Sequence, residues 1–135
     1  MGTRNRSELE KYPLRFVTTT CKDWLHLLRS NVIMQIVADS LNFLNARYKV
    51  EIVAYVFMPN HIHLLMFLEN GKDLSAYMRD FKKFTSVAIR KQLEKKNQHE
   101  LVEKLRFEKG KQKLKVWQDR FDDFYITQYA YDSVY

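Results

Sequence analysis

The chain is predicted to fold as one α+β domain of the ferredoxin-like (RRM-like) class, an antiparallel sheet with helices packed mainly on one face. Three observations carry this prediction. Strand-like and helix-like segments follow one another in the order strand, helix, strand pair, helix, strand, strand. Two apolar runs meet at Pro59-Asn60, a turn short enough to make them an antiparallel hairpin. Only three Gly and two Pro punctuate 135 residues, so the segments between them should be long and regular. At 46% hydrophobic, a chain of this length supports one core and leaves no room for two.

Residues 1–12 are polar, charged and aperiodic and are expected to form a flexible arm, with the domain proper at 13–135. After Pro13, residues 14–21 are rich in β-branched and aromatic side chains and read as the first strand, followed by a loop through Lys22, Asp23 and Trp24. His26, alone in an apolar run, is expected to be packed or partly exposed rather than a ligand. Residues 31–48 repeat Ile33, Val37, Leu41 and Leu44 at helical spacing, with Val32, Ile36 and Phe43 widening the stripe. Residues 50–58 and 61–68 are almost continuously apolar, as in strands covered on both faces.

Asp73 is the expected N-cap of a helix reaching about Lys96. Leu74, Tyr77, Met78, Phe81, Phe84 and Ala88 fall on its core side, and Arg79, Lys82, Lys83, Ser86 and Arg90 on the other. That second stripe holds four cations and no acid, which suits phosphate contact as well as plain solvation. A further helix over 98–108, a basic loop at 109–113, strands at 115–118 and 123–126, and a last helix over 128–135 complete the expected order.

The net charge of +7 and a pI near 9.5 favour polyanionic partners. No window approaches the roughly 18 apolar residues of a membrane span, so no membrane partner is expected. The first residues lack the apolar core of a signal peptide. Cys21 has no second cysteine to pair with, which suits a reducing cytoplasm and a buried, inert role.

The chemistry-bearing stretch is His61-Ile62-His63. On a strand of period two both imidazoles share a face, where they can hold a divalent cation and leave positions open for phosphate oxygens. The competing reading is a pair of core histidines bonded to backbone. Other histidine enzymes fit less well: Leu65 stands where a third alternating His would be, a second His-x-Thr/Ser motif is missing, and no His-Glu-x-x-His is present.

Three blocks of the sequence resemble a known family. They are Ala54 to Leu65, with Met58-Pro59-Asn60-His61-Ile62-His63 at its centre; Leu74-Ser75 followed by Met78 to Ser86; and Val116-Trp117-Gln118-Asp119-Arg120-Phe121-Asp122-Asp123. In this order and spacing they look like the single-tyrosine HUH transposases, most closely the REP-associated tyrosine transposases, over roughly residues 13–135.

The resemblance implies cleavage and rejoining of single-stranded DNA that carries hairpins. It implies His61 and His63 as ligands of Mg2+ or Mn2+, and a tyrosine nucleophile that forms a 5′-phosphotyrosine link. Such a tyrosine lies on a carboxy-terminal helix; Tyr135 is the nearest candidate here, and the nucleophile itself is expected beyond the end of this sequence. Tyr125, Tyr129 and Tyr131 are expected to pack. Trp117, Gln118, Arg120 and Phe121 would meet DNA by stacking and forked hydrogen bonds, and Arg79, Lys82, Lys83 and Arg90 would contact its backbone. The competing assignment is strand packing for Trp117 and Phe121, with an ion pair from Arg120 to Asp122 or Asp123. A homodimer and a monomer both remain open, and the rival function is a non-catalytic module that grips single-stranded nucleic acid.

Overall fold

The computed structural model describes residues 13–106 and 114–125. Four strands form one antiparallel sheet in the order β2-β3-β1-β4: β1 at Leu14–Thr20, β2 at Val50–Met58, β3 at His61–Leu68 and β4 at Asp122–Tyr125. Helices α1 (Asn31–Tyr48), α2 (Asp73–Lys95) and α3 (His99–Leu105), with two single 3-10 turns at Lys22–Trp24 and Leu27–Arg29, complete the described elements. This is the ferredoxin-like α+β architecture that the order of segments predicts.

Burial alternation sets the sheet's two sides. Arg15, Val17 and Thr19 of β1 and Ile62, Leu64, Met66 and Leu68 of β3 are buried. Their neighbours Phe16, Thr18, His61 and His63 lie on the opposite, half-open face. Ile33, Val37, Leu41 and Leu44 of α1 and Leu74, Tyr77, Met78, Phe81, Ile89 and Leu93 of α2 close the core. The helices meet through Tyr48 against Tyr77, ring centroids 5.9 Å apart, and through the Tyr77 hydroxyl, which donates to Asn45 Oδ1 at 2.6 Å. Ser30 caps α1 by accepting from the Ile33 N–H at 3.3 Å, and α1 ends where Lys49 turns left-handed at φ 54°.

Several expectations need correction. The strand β2 is not covered on both faces: it is a sheet edge, and Val53, Tyr55, Val56 and Met58 are exposed. Apolar content alone does not tell an edge from a centre. A register shift between Ile52 and Ala54 bends this edge and leaves Val53 out of the pairing. Val32 and Phe43 face solvent, while Thr85 and Ile89 replace Phe84 and Ala88 as fully buried residues of α2. Asp73 is the first helical residue rather than the cap, where it still complements the helix dipole.

Residues 115–118 form no strand; they touch the sheet through an isolated bridge between Cys21 and Trp117. The third helix stops at Leu105 rather than running to 108. The arm 1–12, the basic loop 109–113 and the last helix with Tyr129, Tyr131 and Tyr135 lie outside the described residues.

The Asp123 carboxylate does not meet Arg120. It sits on the helix-covered side, 3.7 Å from the guanidinium of Arg15, a residue with no exposed side-chain area. The pair joins β1 to the short β4 across the covered face.

Candidate metal centre and nucleic-acid face

The two-residue Pro59-Asn60 turn pairs Met58 with His61, so the histidines leave the turn on the open side of β3. The β1 register places Thr20 beside His61 and Thr18 beside His63. His61 Nε2 and His63 Nε2 face each other at 3.2 Å, with the rings nearly perpendicular at 83° and their centroids 4.8 Å apart. The outer nitrogens are both engaged: His61 Nδ1 with Asn60 Oδ1 at 2.7 Å, and His63 Nδ1 with Thr18 Oγ1 at 2.8 Å. Phe16 covers one side of His63, ring centroids 5.3 Å apart.

Partial burial, and then the neighbouring His61, hold the His63 imidazole below its ordinary pKa. Both causes favour the neutral ring, the form that binds metal. Two converging Nε2 atoms with both Nδ1 atoms tied down suit one side of a divalent-cation site, and the outer bonds orient the rings as second-layer partners do in metal centres. Among the described residues no third His, Cys, Asp or Glu joins them, which leaves the remaining positions to phosphate oxygens, water or other parts of the chain. Sequence reading found the histidines but missed Thr18, since it names no register between β1 and β3. Asn60, adjacent to His61 in the turn, was visible without its role.

The other expected residues divide into scaffold and surface. Trp117 is only 2% exposed; its ring packs on Phe81, centroids 5.3 Å apart, and its Nε1 donates to Thr85 Oγ1 at 2.8 Å. A ring so placed packs the core and presents no face to a base. Lys82 donates to the carbonyls of Gln118 and Asp119 at 2.7 and 3.1 Å, and burial lowers its pKa. It tethers the segment after Trp117 to α2, while the Gln118 N–H donates to the Thr20 carbonyl at 2.9 Å.

Arg79, Lys83 and Arg120 are exposed, and Arg79 sits 3.5 Å from Asp80. Arg90 is half-buried, and its Nε has no hydrogen-bond partner. It lines a groove of about 490 Å³ between α2 and residues 114–119, together with Lys83, Ser86, Val87 and Lys115. The groove's rim is cationic, and Val87, Leu114 and Val116 supply apolar lining.

The sequence matches the family model described as "Transposase IS200 like" over residues 10–129. A solved REP-associated tyrosine transposase bound to a REP hairpin superposes with TM-score 0.66 at 21% identity, covering 99% of this chain and 68% of that one. A candidate transposase from Deinococcus radiodurans R1 gives TM-score 0.57 at 13% identity over 99% of this chain and 89% of that one. At these identities the superpositions establish a shared fold. No curated protein matches the sequence significantly. No helix among the described residues is long and apolar enough to cross a membrane.

Proposed function

The chain belongs to the IS200-like transposase family, and on that premise we propose that it cleaves and rejoins single-stranded DNA carrying hairpins through a tyrosine nucleophile. The observation that carries the proposal is the convergence of His61 Nε2 and His63 Nε2 at 3.2 Å on the open face of the sheet. The related transposase solved with a REP hairpin supports a hairpin substrate here. Bound Mg2+ or Mn2+ would supply Lewis-acid polarisation of the scissile phosphate.

His61 and His63 are the proposed ligands, both oriented by hydrogen bonds at Nδ1, with burial favouring the neutral ring of His63. Arg79, Lys83, Arg90 and Arg120 are the proposed phosphate contacts, which fix the register of the strand without reading its sequence. Lys82, Trp117 and Gln118 act beneath them, holding residues 114–119 against α2 so that the groove keeps its shape. The tyrosine oxygen forms an ester with the phosphorus as the 3′-oxygen leaves. The bond energy is stored in that ester and rejoining needs no nucleotide triphosphate. The nucleophile is expected on the carboxy-terminal segment, at Tyr135 or on chain that follows it. The domain is taken to span 13–135, and a DNA substrate with a buried free thiol suits the cytoplasm.

The test is direct. Full-length protein, extended to include the segment after residue 135 where one exists, is incubated with Mn2+ and a labelled hairpin oligonucleotide. A covalent adduct on a denaturing gel is expected, and His61→Ala with His63→Ala should abolish it while hairpin affinity persists. Hairpin binding without any adduct would instead support a non-catalytic binding module.

A further inference from the structure

We infer that Thr18 and Asn60 are positioning residues that set the tautomers of the histidine pair, and that the Thr18 hydroxyl lets His63 change tautomer when a cation enters. The inference rests on the metal reading above and extends it to side chains that touch neither substrate nor ion.

An amide oxygen can only accept a hydrogen bond. With Asn60 Oδ1 at 2.7 Å, His61 therefore carries its proton on Nδ1 and presents a lone pair at Nε2. A second lone pair facing it at 3.2 Å would be repulsive, so the cation-free pair shares a proton: His63 Nε2–H donates to His61 Nε2. His63 then has a bare Nδ1, and the Thr18 hydroxyl donates to it at 2.8 Å.

A divalent ion needs lone pairs on both Nε2 atoms, so the His63 proton must move to Nδ1. There it meets the same Thr18 oxygen, which rotates its hydrogen away and accepts. A hydroxyl is both donor and acceptor, so it bonds either tautomer, and it bonds the cation-bound one more strongly because the ion's charge polarises that ring's N–H. A carboxylate at residue 18 would hold only the cation-binding tautomer, and a valine neither. The half-open position of Thr18 on the pairing partner of His63 gives the hydroxyl room to turn.

The test follows imidazole nitrogens by NMR in the full chain with 15N-labelled histidines, first free of metal and then with Mg2+. Mn2+ affinity is measured separately by electron paramagnetic resonance. Without metal, His61 is expected as the Nδ1–H tautomer and His63 as the Nε2–H tautomer, and saturating Mg2+ should move only His63. Folded Thr18→Val should lose about 10–100-fold in Mn2+ affinity, the range for removing a partner behind a metal ligand, and Thr18→Ser should recover most of it. His63 found as Nδ1–H before metal is added, or unchanged Mn2+ affinity in Thr18→Val, would overturn the inference. The expected tautomers in a wild-type chain that binds no Mn2+ would sink the metal reading and uphold the tautomer assignment.

Discussion

Replacing Thr85 by Val asks whether Trp117 is a core residue or a DNA contact, without touching the tryptophan. Thr85 is fully buried in α2; its hydroxyl accepts from the Trp117 indole N–H at 2.8 Å and donates to the Phe81 carbonyl at 2.7 Å. Valine keeps the shape and removes the oxygen. The Phe81 carbonyl loses little, since a hydroxyl bonding back four residues only supplements the helix's own hydrogen bonding. The indole N–H, under a side chain that is 2% exposed, loses its acceptor in a dry environment.

An unsatisfied buried donor costs about 1–3 kcal/mol, and that should be the whole effect. With a urea dependence of about 2 kcal/mol per molar for a domain of this size, the unfolding midpoint should fall by about 0.5–1.5 M. Trp117→Phe removes donor and bulk together, so the double variant should cost less than the sum of the single ones, by about 1 kcal/mol. Hairpin affinity of the folded Thr85→Val protein should stay at the wild-type level. An unchanged midpoint, or hairpin affinity that drops while stability is kept, would refute the core assignment of Trp117.

Three further outcomes follow from the geometry. Asp123→Ala removes the carboxylate 3.7 Å from the buried Arg15 guanidinium and should destabilise the fold in chemical denaturation, and more than Arg15→Met with Asp123→Leu does. Ser30→Ala should cost about 1 kcal/mol by uncapping α1, measured the same way, with no effect on metal affinity. The Tyr48 hydroxyl, donating at 2.6 Å, holds the Asp80 carboxyl below its ordinary value of 3.8. A depressed folded pKa gives stability that is present above 3.8 and lost as pH falls through the folded value. Tyr48→Phe should therefore flatten the acid limb of the stability-against-pH curve and leave stability near neutral pH less changed in slope.

The sequence by itself determined the architecture and the reactive pair. Helical spacing named Ile33, Val37, Leu41 and Leu44, and all four are buried in α1. The Pro59-Asn60 turn fixed the hairpin, and the period of a strand put His61 and His63 on one face. These features repeat over a few residues, so they can be read locally. What depends on which segment lies beside which could not be read that way.

Apolar residues in 50–58 looked like a central strand because edge and centre differ only in their neighbours. Trp117 stayed open between stacking on DNA and packing in the fold because nothing in the chain names Thr85 and Phe81 as its partners 32 and 36 residues away. Lys82 looked like a free cation until Gln118 and Asp119 were found above it. The same holds for the histidine pair. Its presence is written in three consecutive residues, but Thr18 reaches His63 from 45 residues away through the β1–β3 register alone. Only the paired sheet decides which nitrogen of His63 is left to face a cation.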